Sequence, residues 1–98
     1  MPAPRTTKTY VVATGPNAST AAVVPANPFR IAVFIQNTGA NPGLARFGGP
    51  VQANGSDMAF TAGQSQKWDQ ADTCPQDALT FQSTAATTWC VIETVAPR

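Results

Sequence analysis

Nine prolines and seven glycines cut this chain of 98 residues into short pieces. No twelve-residue segment keeps a clean 3.6 period. Proline removes a backbone donor and clashes with the preceding helical turn, and both residues punctuate local structure, so long helices are ruled out. The segments between them are rich in Val, Ile, Thr, Phe and Ala, the composition of strands. The pattern predicts strands over residues 7–14, 19–24, 29–37, 43–48, 57–61, 65–69, 78–83 and 88–95. Turn signals such as Gly15-Pro16-Asn17, Asn54-Gly55 and Ala62-Gly63 separate them. Eight short strands at roughly 8–12-residue spacing predict an all-β fold, an antiparallel β-sandwich or a small jelly-roll barrel. The length suits one domain, residues 11–98. Residues 1–10, MPAPRTTKTY, carry two prolines in their first four positions and read as an extended N-terminal arm, either a frayed end or a segment docked on a neighbour.

Only 11% of the residues are charged, against a usual quarter, and the net charge is +1. A surface so poor in ions loses little hydration when another protein covers it. No basic stripe exists, so a nucleic-acid partner is not expected. No apolar run approaches the 18 or so residues of a membrane-spanning helix, so no membrane partner is expected either. The start lacks the apolar core of a signal peptide, which suggests a chain made and kept in the cytosol, or released in a particle by lysis.

The inventory of reactive groups is thin. Without histidine there is no Ser-His or Cys-His nucleophile pair. Cys74 and Cys90 are too few for a zinc site or a disulfide framework. Asp69 and Asp72 lie close together in WDQADTC, but the segment lacks the alternating oxygen ligands of a calcium loop and reads as solvated loop acids. The sequence therefore predicts no catalytic residues, no metal, no cofactor and no enzyme.

The strand over 29–37 shows the clearest alternation. Phe29, Ile31, Val33 and Ile35 fall on one face, and Arg30, Ala32, Phe34 and Gln36 on the other. It reads as a central strand, joined by the turn Asn37 to Gly43 to an antiparallel return over 44–47. At the C-terminus, a hairpin with its loop at 84–87 sets Phe81 opposite Cys90 and Leu79 opposite Ile92, giving one apolar face for the core. This arrangement disfavours a Cys74–Cys90 bridge. It places Trp89, Val91 and Glu93 on the outer face, where either a covering loop or a subunit contact must shield the tryptophan. Arg5, Tyr10, Phe34, Trp89 and Val91 are the candidate interface residues.

Several turn and strand elements over 29–95 resemble those of small structural proteins of tailed bacteriophages. They are Asn37-Thr38-Gly39, Phe47-Gly48, Gly55, Ala62-Gly63, Trp68-Asp69 and Val91-Ile92-Glu93. The resemblance implies a virion accessory protein, a minor capsid protein that decorates or cements the head. Its implied partners are copies of itself, as a homotrimer, and the major capsid protein. Its implied place is the virion, after synthesis in the host cytoplasm. The other reading is a carbohydrate- or host-surface-binding module of a tail or fibre, with Trp68 or Trp89 stacked on a sugar.

Overall fold

The computed structural model describes residues 5–15, 22–49, 57–70 and 73–96. Within them the chain forms β1 (Thr6–Thr14), β2 (Ala22–Val24), β3 (Arg30–Asn37), β4 (Gly43–Phe47), β5 (Met58–Phe60), β6 (Ser65–Trp68), β7 (Leu79–Gln82) and β8 (Thr87–Val95). Every predicted strand has its counterpart, with ends within a residue of those expected, except that 19–21 lie outside the described residues.

The strands build two four-stranded antiparallel sheets, ordered β1-β8-β3-β6 and β2-β7-β4-β5. The pairs β1–β8, β2–β7, β3–β6 and β4–β5 are those of one long antiparallel ribbon folded between β4 and β5. Rolling that ribbon up adds the contacts β3–β8 and β4–β7. This wrapped topology is a jelly roll.

The topology corrects two expected hairpins. β3 does not pair with β4, and β7 does not pair with β8; in each case the connection crosses to the other sheet. Leu79 and Phe81 do point into the core, but from the second sheet. From the first sheet, Trp89, Val91 and Glu93 point inward, at 0%, 0% and 2% exposure, while Cys90 and Ile92 face out. Trp89 and Val91 are therefore core residues and not interface residues. Alternation fixes which residues share a face, but not which strand lies alongside.

A bulge makes the second correction. The pairing of β3 with β8 shifts between Arg30 and Ala32, so Ile31 is an extra residue and Arg30 turns inward with Val33, Ile35 and Asn37. Phe29, expected inside, is exposed.

The N-terminal arm, from Thr6 on, is a strand. β1 pairs with β8 without a break from Thr6 opposite Val95 to Thr14 opposite Thr87. Residues 1–4 lie outside the described residues.

Trp89 is the centre of the core. Phe60 meets its ring edge-on at 5.5 Å, and Phe81 lies tilted at 4.8 Å. Its indole N–H donates to Thr14 Oγ1 at 3.0 Å. Position 43 must be glycine, because a Cβ there would fall on the indole.

Two polar plugs close the ends of the sandwich. At one, Asn37 Nδ2 donates to the Asn41 and Phe60 carbonyls, and its Oδ1 accepts from Thr87 Oγ1 and Gly39 N–H. At the other, Arg30 Nε donates to Glu93 Oε1 at 2.8 Å. The same guanidinium donates to the carbonyls of Pro25, Pro75 and Asp77, which ties the β2–β3 and β6–β7 connections to the sheet. Asn27 adds a bond to Glu93 Oε2. Among the described residues, every buried side-chain N or O has a partner, as buried polar groups require.

A candidate docking face

The outer face of the β1-β8-β3-β6 sheet follows from the register, because directly opposed residues share a side. Val11 lies opposite Cys90, and Ile92 lies between Thr9 and Phe34 on the next outward rung. Val11 is 80% exposed and Ile92 37% exposed, while Phe34 and Cys90 are half-buried. These four make a contiguous apolar patch across three strands. Thr7, Thr88, Thr94 and Gln36 surround it. Among the described residues, the one charge on the outward rows of these strands is Lys67, opposite Phe34, and its ammonium lies 3.7 Å from exposed Asp69. Such a surface is flat and nearly neutral, and has little hydration to lose on contact.

Of the five candidate interface residues, only Phe34 belongs to this patch. Tyr10 is half-buried on the inward row of β1, with Lys8 Nζ 4.9 Å above its ring, and Arg5 is exposed just before β1. Val11 and Ile92 were missed. Their signal was present: both alternate with residues now seen to be buried.

Trp89 is fully buried and offers no face to a sugar. Trp68 is half-buried, with Phe47 meeting it edge-on at 5.3 Å. On the outside of the second sheet, Pro42, Leu44, Ala59, Thr61 and Gln82 line a shallow groove of about 310 Å³. It contains no ionisable side chain.

The thiols differ in setting. Cys74 is buried, and both cysteines are free. Burial pushes the Cys74 thiol up; the Arg30 charge opposes this, and Glu93 adds to it. No group of three or more His, Cys, Asp or Glu side chains gathers among the described residues.

No family model and no curated protein matches the chain. Solved structures that share its fold include the following two. A complex of cobalt(II) HppE with its substrate superposes with a TM-score of 0.54 at 12% identity, over 89% of this chain and 44% of that one. A de novo designed double-stranded β-helix superposes with a TM-score of 0.50 at 17% identity, over 91% of this chain and 97% of that one. The chain thus spans under half the length of HppE and nearly all of the designed protein. At these identities the likeness is one of fold, an eight-stranded double-stranded β-helix. It overturns the expectation that the chain is no enzyme: HppE, which carries this fold over part of its length, was solved in complex with its substrate, so a short inventory of acids and bases does not decide the matter.

Proposed function

We propose that this protein is a structural component of a bacteriophage virion, a decoration or cement subunit that docks on the major capsid protein lattice and stabilises the head. The observation that carries the reading is the uncharged apolar patch on the outer face of the first sheet, where Val11 and Ile92 are exposed and Phe34 is half-buried. The phage-like turn and strand pattern supplies the partner class. Each copy would contribute a modest apolar contact. A lattice multiplies such contacts, because copies bound together act at high effective concentration. Small symmetric oligomers, with the trimer as the closure implied by the resemblance, would bridge neighbouring shell subunits and oppose internal pressure.

Two measurements test the proposal. Mass spectrometry of purified virions is expected to find the chain in many copies per particle. Purified protein is expected to co-sediment with shells that lack it, and Ile92→Arg, which places a charge in the patch, is expected to abolish that binding while the fold survives. A chain absent from virions, or one that ignores shells at high concentration, overturns the reading.

A further inference from the structure

The four edge strands of the two sheets are treated very differently. Among the described residues, β2 and β5 have three residues each, and β6 has four, with Lys67 among them. Short strands and charges are the usual guards against pairing with another chain. β1 has nine residues, TTKTYVVAT, with a single charge, Lys8, and no proline, no glycine and no bulge, and its register with β8 is unbroken. Among the described residues it pairs on one side only. Thr6, Thr7, Lys8 and Thr9 are exposed whichever way they point, so the first half of the strand stands clear of the sandwich. A long β-rich edge with a free row of backbone donors and acceptors is a template for one more strand.

We propose that β1 pairs with β1 of a second copy, antiparallel across a two-fold axis, to give one continuous eight-stranded sheet. An antiparallel strand is complementary to itself, so a single surface closes the dimer. Centring the axis on Tyr10 pairs all nine residues and adds about eight to ten ladder hydrogen bonds. In that register the two Tyr10 rings are neighbours, Lys8 lies opposite the partner's Val12, and Thr9 lies opposite the partner's Val11. Centring on Lys8 would instead set two ammonium groups face to face. The pairing also joins the two apolar patches, because Val11 sits on the outward row of β1. The inference concerns the edge alone and does not rest on the virion reading.

Light scattering and sedimentation of the purified chain are expected to show a concentration-dependent species of twice 10.2 kDa. A species of three times that mass with no dimer would place the contact on another surface and overturn the pairing. Thr9→Lys/Val11→Lys places lysines opposite each other on both sides of the axis and is expected to weaken the dimer roughly ten-fold or more. Thr9→Glu/Val11→Lys makes the same two positions complementary across the axis and is expected to restore it. Both changes are on exposed outward positions, and near-ultraviolet dichroism from buried Trp89 reports that the fold is retained. Hydrogen exchange is expected to protect every β1 amide in the dimer, but only alternate ones in the monomer. A chain that stays monomeric at millimolar concentration, or an oligomer equally strong in both double variants, overturns the proposal.

Discussion

The two faces of β8 hold opposite kinds of surprise. Its inner row buries a glutamate in line with a tryptophan and a valine, and its outer row shows an isoleucine to solvent. Inside, the charge is tolerated because it is matched: Arg30 bonds it directly, and the remaining guanidinium donors reach loop carbonyls. Outside, nothing among the described residues covers Ile92 and Val11. A buried polar group with every bond made belongs to the fold, whereas an apolar group left uncovered on a rigid sheet is available to a partner. The inner row should therefore govern stability and the outer row association.

The largest effect that would sharpen this contrast is on the inner row. Trp89→Ala removes the side chain that Phe60, Phe81 and Thr14 all touch. Loss of a buried tryptophan costs about 3–5 kcal/mol, a large part of the ~5–15 kcal/mol that holds a domain together. Denaturant unfolding is expected to show a variant that is largely unfolded or has a sharply lowered midpoint.

The ion pair comes next. Arg30→Met leaves Glu93 buried without its cation and the carbonyls of Pro25, Pro75 and Asp77 without their donor. The expected loss is about 3–5 kcal/mol. Arg30→Met/Glu93→Leu removes both charges, and is expected to recover much of that loss. If the double variant is as unstable as the single one, the carbonyl bonds, and not the ion pair, make Arg30 necessary.

Much of this fold was legible in the sequence, because strand existence depends on local signals: Pro and Gly breaks, β-branched residues and period two. The wrapped pairing was not legible. Most neighbours in a jelly roll are distant in sequence, and alternation does not name the strand alongside. The error at β8 came from the assumed β7–β8 hairpin, which set Cys90 and Ile92 beside Phe81 and Leu79 in the core and left Trp89, Val91 and Glu93 outside. On β3, the alternation of Phe29, Ile31, Val33 and Ile35 left Arg30 on the other face. Only the bulge at Ile31, which turns Arg30 inward, lets the two charges satisfy each other in the core. The docking face was half legible: Phe34 was placed on its side of β3, Ile92 was hidden by the inverted parity of β8, and the strand over 7–14 was given no facing, so Val11 went unassigned.

A smaller effect tests the outer row directly. Ile92→Ser removes an exposed apolar side chain flanked by Thr9 and Phe34. Surface changes of this kind usually stay within about 0.5 kcal/mol of the parent. The unfolding midpoint is expected to hold while binding to shells falls. A large loss of stability would mean that the outer row is structural after all, and would end the contrast.

The smallest effect uses the thiols, one on each side of the sheet. Cys90 is half-exposed on the outer row, and Cys74 is buried near Arg30 and Glu93. An alkylating probe is expected to modify Cys90 in the native protein and Cys74 only after unfolding. The pH dependence has a definite sign. The folded Cys74 thiol is held above its ordinary value of 9.0, so the folded state keeps a proton that the unfolded chain releases. Its contribution is present below that value and is lost as pH rises past it, through the higher folded pKa. Denaturant midpoints measured upward from neutral pH are expected to fall in the alkaline range, and Cys74→Ala is expected to flatten that part of the curve. If Cys74 reacts as fast as Cys90 in the native state, the end of the sandwich closed by Arg30 opens readily, and the guanidinium is a weaker lock than its four hydrogen bonds imply.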